Sequence, residues 1–157
     1  MEGSVRRLSI YFLASSLALI GLAAATATAL TGPQAVETRK NRYRELGAAF
    51  KSINDQAKSG TLIKVMLRTS GRTITAVARD QYQWFPVASG PAAGISTKAK
   101  STIWSDSAGF KLAQGNFQRQ ADLMAQAIDA GQLDQIQRQA KALGQTCSAC
   151  HRSFREE

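Results

Sequence analysis

Residues 133–154 read Leu133-Asp-Gln-Ile136-Gln-Arg-Gln-Ala140-Lys-Ala-Leu143-Gly-Gln-Thr-Cys147-Ser-Ala-Cys150-His151-Arg-Ser-Phe154. The apolar and cysteine positions 133, 136, 140, 143, 147, 150 and 154 alternate steps of three and four. That spacing puts them on one face of a helix. Cys147 and Cys150 therefore stand on the inward stripe of a terminal helix, and His151, four residues after Cys147, lies close to the same face.

The five residues 147–151 are also a C-x-x-C-H sequence, the pattern of c-type haem attachment. Two thiols at this spacing add to the two vinyl groups on one edge of a porphyrin. The next residue then brings an imidazole beneath the ring, where it can bind iron. Three other chemistries use similar residues. A redox dithiol is one, but such a motif usually opens a helix after a strand. A closed zinc site needs four ligands, and the chain offers only two cysteines and one histidine. A structural disulfide is the third. Export, both cysteines and the sole histidine converge on haem c with iron, held by Cys147, Cys150 and His151.

Upstream, three further segments repeat the helical stripe. Val36, Arg39, Tyr43, Leu46, Phe50 and Ile53 form the first, with Arg39 a charge on an otherwise apolar face. Pro33 suits its entrance and Ser59-Gly60 its end. Ile63, Leu67, Ser70, Ile74, Val77 and Trp84 form the second, weakened by Gly71, Thr73 and Thr75. Residues 85–94 hold two prolines and two glycines and predict a loop without a regular element. Phe110, Ala113, Phe117, Ala121, Met124 and Ile128 form the third stripe, capped by Ser105 or Asp106 and closed by Gly131. With no alternating strands and no internal repeat, the fold class is all-α, an antiparallel four-helix bundle over residues 30–157.

Residues 1–29 read as a leader. Arg6 and Arg7 precede an almost uncharged run over 8–25, and A-x-A patterns place cleavage after Ala27 or Ala29. This predicts export to the periplasm and no membrane attachment once the signal peptide is removed. The 157 residues carry 20 Lys and Arg against 11 Asp and Glu, a formal charge of +9. Loss of Glu2, Arg6 and Arg7 with the leader leaves +8. Such a charge favours acidic redox protein partners. An exported chain with no basic run interleaved with aromatics is not expected to bind nucleic acid.

These features together resemble the class II cytochromes c, the cytochrome c prime group and its low-spin relatives. The resemblance covers the whole mature chain. Its carriers are residues 36–39 followed by Tyr43, Phe85-Pro86, residues 97–104 ending in Ile103-Trp104, and residues 147–155 with the haem motif near the C-terminus. It implies a covalently attached haem inside the bundle. It places Arg39 near a haem propionate, Lys40 and Ser89 at the haem edge, and Arg155 on the proximal side near His151. Tyr43 takes the position that faces the sixth coordination site, where low-spin members carry a ligating methionine. Met66 is the one candidate substitute ligand; Met124 is read as core.

The leading expectation is a periplasmic monohaem electron-transfer protein, with Arg39 and Arg155 raising the potential. The alternative is a gas-binding protein for nitric oxide or carbon monoxide, with the sixth site open or covered by Tyr43. No second histidine remains for acid–base work at the distal face, and no flavin or further metal constellation appears, so an enzyme is not expected. The resemblance further allows a homodimer through helices one and two.

Overall fold

The computed structural model describes residues 30–157; the expected signal peptide, 1–29, lies outside the described residues. Five helices follow: α1 Gly32–Ser59, α2 Lys64–Asp80, α3 Thr102–Ser105, α4 Ser107–Ala130 and α5 Leu133–Phe154. The four long ones form the bundle. Around it α1 packs on α2, α2 on α4, α4 on α5, and α5 closes back on α1. Cross-contacts set the direction of each neighbour. Tyr43 of α1 meets Gln81 just past α2, Arg68 of α2 meets Asp129 of α4, Gln139 of α5 meets Gln120 of α4, and Gln137 of α5 meets Ala57 of α1. Arg68–Asp129 and Gln137–Ala57 join the start of one helix to the end of its neighbour, Tyr43 of the first half of α1 reaches the end of α2, and two residues connect α4 to α5, so the bundle is antiparallel throughout.

The helix ends follow local chemistry. At the start of α1, Gln34 Oε1 accepts from both the backbone N–H and the hydroxyl of Thr31. Two donors are thereby satisfied where no helical partner exists. Gly60 and Gly131 take φ of 74° and 70° after α1 and α4, a conformation a side chain resists. Asp106 caps α4 by accepting from Gly109 N–H at 2.9 Å.

The core runs the length of the bundle. Ile53, Leu67, Ile74, Val77, Met124, Ile136 and Leu143 are each 2% exposed or less, so the predicted stripes face inward. The second stripe needs correction at both ends. Ile63 precedes α2 and is 46% exposed, while Trp84 lies beyond the helix in a turn, though it is buried. The weak formers inside α2 survive through packing. Gly71 faces Ile128 so closely that a methyl there would come within 3.0 Å of its Cδ1. Close packing of this kind outweighs a propensity penalty of about 1 kcal/mol.

The predicted loop is more ordered than its composition suggests. Residues 87–89 and 91–93 each make a short 3-10 turn, and α3 adds one helical turn before α4. A smaller apolar cluster, Ile103, Phe110 and Phe154, sits under this segment, with Phe85 and Cys150 against it. The chain end is stitched to the same segment. Lys100 N–H donates to Phe154 O at 3.0 Å, Glu156 N–H to Lys98 O at 2.8 Å, and the Thr102 hydroxyl to Ser153 O at 3.0 Å. Among the described residues no helix is long and apolar enough to cross a membrane.

Candidate functional site

One end of the bundle gathers most of the residues singled out by sequence. Cys147 and Cys150 occupy the last two turns of α5, both half-buried and unpaired. Cys147 packs against the main core and Cys150 against the smaller cluster, so the pair spans the seam between the two. Neither is fully buried as the stripe predicts. The seam is open here because the bundle's own side chains do not close over it.

Burial pushes the Cys147 thiol up and, aided by the neighbouring Cys147, holds Cys150 up at about 11. Reactive dithiols depend on lowered thiol pKa values and commonly sit at a helix N-terminus. These two have neither property, which removes the redox-dithiol reading. His151 is exposed, and partial desolvation and the nearby Arg155 hold its imidazole below the usual range. Among the described residues no three His, Cys, Asp or Glu side chains converge as a metal cluster. The zinc reading therefore loses its geometry as well as its ligand count.

Arg39 is the most constrained charge in the structure. It is 4% exposed. Its Nη1 donates to Ser89 Oγ at 2.9 Å and Trp84 O at 3.2 Å; its Nη2 donates to Thr97 Oγ1 at 2.6 Å and Ser89 O at 2.9 Å. The guanidinium also lies over the Phe85 ring, 4.9 Å from its centroid. Desolvation lowers its pKa. Every acceptor is neutral, and no carboxylate among the described residues pairs with it. Hydrogen bonds satisfy its donors but leave its charge uncompensated, an expensive state for a buried cation. An anionic group belongs beside it, and a haem propionate, which the sequence resemblance implies there, would supply that charge. On this observation the residues present fit the cofactor.

Ser89 is wholly buried and holds two positions at once. Its hydroxyl donates to Pro86 O at 2.8 Å and accepts from Arg39. Gly32 and Gly90 allow this packing. A methyl on Gly32 would come within 2.1 Å of Ala88 O, and one on Gly90 within 2.7 Å of the Trp104 ring. Lys40 and Arg155 are both exposed; Arg155 is one turn beyond His151, and its backbone N–H closes α5 onto His151 O at 3.0 Å.

Tyr43 is half-buried one helical turn after Arg39. Its ring meets Trp84 edge to face with centroids 5.5 Å apart. Its hydroxyl donates to Gln81 Oε1 at 3.4 Å, a long hydrogen bond. Desolvation, and next the Cys150 thiol, push its pKa well above the ordinary tyrosine range. Tyr43 thus stays protonated and lies within electrostatic reach of both cysteines.

Met66 is excluded as a ligand by place. It is 48% exposed at the start of α2. Fifteen residues separate it from Gln81, roughly 22 Å at 1.5 Å per residue. Met124 is wholly buried in the core, as expected.

Sequence reasoning missed Gln81, Gln114 and Thr97. Gln81 stands four residues after Val77 on the second stripe, so it carried the same signal as Arg39, a polar residue on an apolar face. Gln114, 3% exposed, lies near it in α4, with Nε2 buried and unpartnered. Thr97 lies in a loop, where no periodicity reports burial. A groove of about 500 Å3 between α4 and α5 is lined by Cys150, Ala113 and Phe154 but by none of Arg39, Tyr43 and Cys147.

Comparison with known proteins places this geometry. The family model described as Cytochrome C' matches residues 34–155. Cytochrome c' of Pararhodospirillum photometricum is 31% identical over 121 residues, 77% of this chain and 95% of that protein. The crystal structure of cytochrome c' from Rubrivivax gelatinosus superposes with a TM-score of 0.75 at 23% identity, over 82% of this chain and all of that one. A nitric oxide complex of a mutant cytochrome c prime from Alcaligenes xylosoxidans gives 0.74 at 22% identity, over 83% of this chain and all of that one.

Proposed function

This chain belongs to the cytochrome c' family and is a haem c cytochrome, and from that premise we propose that it binds a small diatomic gas, nitric oxide above all, at an open sixth site beneath Tyr43. Bound haem would supply an iron centre with one-electron chemistry and affinity for a diatomic gas. Cys147 and Cys150 hold the porphyrin by thioether bonds, and His151 provides the proximal imidazole. Arg39, steadied by Ser89 and Thr97, balances propionate charge. Lys40 borders the haem edge, and Arg155 sets the field on the proximal side. Tyr43 covers the distal face as a neutral phenol.

The observation that carries this reading is the position of Tyr43. It stays protonated, and Met66, exposed fifteen residues before Gln81, is too far along α2 to serve as a ligand. A protonated phenol is a poor iron ligand and an effective cover. The nitric oxide complex of the Alcaligenes xylosoxidans relative supports the same use of the fold. Carbon monoxide titration of the reduced, haem-loaded protein tests it. Saturable binding with one gas per haem is expected, and a haem indifferent to the gas rejects the role.

Electron transfer, the leading expectation from sequence, becomes the second reading. It is favoured by the exposure of His151 near Lys98, Lys100, Arg152 and Arg155, four cations against Glu156 and Glu157, a net basic rim suited to an acidic redox protein. A potential titration showing no reversible one-electron couple removes it. Export to the periplasm with loss of residues 1–29, a binding or carrier role rather than catalysis, and a homodimer through α1 and α2 complete the proposal.

A further inference from the structure

Resting on the placement of Tyr43 over the sixth site, we propose that Gln81 is the specificity-determining positioning residue of this protein: its Oε1 accepts the hydrogen bond of the Tyr43 hydroxyl, so that the cover over the gas site does not donate to the bound ligand. Such a cover admits neutral diatomics such as carbon monoxide and nitric oxide. It withholds the hydrogen bond on which ligands that gather negative charge, dioxygen among them, depend.

The orientation of the Gln81 amide carries the argument. Gln81 is 4% exposed. Its Nε2 donates to two backbone carbonyls, Ala78 O at 3.1 Å and Gln114 O at 3.5 Å. Rotating the amide by 180° would set Oε1, which carries no proton, against both carbonyl oxygens, acceptor facing acceptor. The network therefore fixes which end faces which neighbour. Oε1 must point to Tyr43, and Oε1 can only accept. The 3.4 Å bond then requires the phenol to act as donor to Gln81. A hydroxyl has one proton, so nothing remains for a ligand on its other side. Trp84, packed edge-on against the Tyr43 ring, hinders the ring from swinging away.

The carbon monoxide stretching frequency of the reduced, haem-loaded protein reads this directly, because a donor aimed at the ligand oxygen lowers it. Wild type and Tyr43→Phe are expected to share one frequency. Gln81→Met, similar in length but without an acceptor, frees the hydroxyl and shifts the frequency down. Adding Tyr43→Phe to Gln81→Met abolishes the shift. Gln81→Glu keeps an acceptor of the same size and is expected to hold the wild-type value without a downward shift. A Gln81→Met frequency equal to wild type, or a wild-type frequency already below Tyr43→Phe, overturns the role of Gln81. The carbon monoxide association rate of Tyr43→Ala tests the placement separately. Faster association supports Tyr43 as the cover; an unchanged rate overturns its placement at the sixth site, whatever the Gln81 variants show.

Discussion

Replacing Arg39 by methionine removes a buried cation while keeping most of its volume. Four hydrogen bonds go with it. Two of their acceptors have other bonds: the Ser89 hydroxyl donates to Pro86 O, and Thr97 Oγ1 also accepts from Ala99 N–H. Trp84 O and Ser89 O lose the side-chain donor that holds the loop against α1. Stranding a buried acceptor costs about 1–3 kcal/mol, so the pair costs about 2–6 kcal/mol. Against total stabilities of about 5–15 kcal/mol this is a severe loss. Guanidinium unfolding of the haem-loaded protein measures it. With Arg39 beside the haem, as proposed, the same substitution withdraws a positive charge from the iron's surroundings and is expected to lower the midpoint potential. Arg39→Lys separates the two effects. It keeps the charge and most of the potential, but one ammonium cannot reproduce the two-nitrogen fork, so stability still falls. Arg39→Met with stability within about 0.5 kcal/mol of wild type and an unchanged potential refutes the reasoning, since that is the range of an ordinary surface substitution.

Other expectations follow from the same geometry. Gly32→Ala forces a methyl toward Ala88 O, a backbone atom that cannot turn aside, and should cost about 1–3 kcal/mol in thermal or denaturant unfolding. Before haem attachment, the fold keeps the Cys150 thiol protonated where the unfolded chain has released its proton. Stability of the unloaded chain should therefore fall as pH rises from 9.0 through about 11, and alkylation of Cys150 should keep rising over that window, as mass spectrometry can follow. Serine at both Cys147 and Cys150 leaves no thioether, so any bound haem should extract into acidified organic solvent, whereas wild-type haem stays on the peptide.

Most of the bundle was legible because periodicity reports burial. Four stripes at steps of three and four fixed the long helices, and Pro33, Ser59-Gly60, Asp106 and Gly131 marked their ends. Arg39 was readable for the same reason: a charge on an apolar stripe is conspicuous. Gln81 carried that signal too, a polar residue four positions after Val77 on the second stripe. The 3-10 turns, α3 and the strand-like stitch of residues 98–102 onto the chain end were not legible. The stitch arises from hydrogen bonds between segments some fifty residues apart in sequence, which no local pattern encodes, while the turns, held by local bonds such as Ser89 N–H to Pro86 O, are too short for periodicity to report. Met66 shows the converse. Its residue type allowed a ligand role that only its place along α2 removes.

The most direct measurement is the optical spectrum of the exported, haem-loaded protein, oxidised and reduced, before and after nitric oxide. A broad high-spin reduced spectrum that shifts on adding the gas is expected if, as proposed, His151 alone ligates the iron and Tyr43 only covers the other face. A sharp low-spin reduced spectrum that ignores nitric oxide would contradict it, since it would require a sixth protein ligand that this site does not provide.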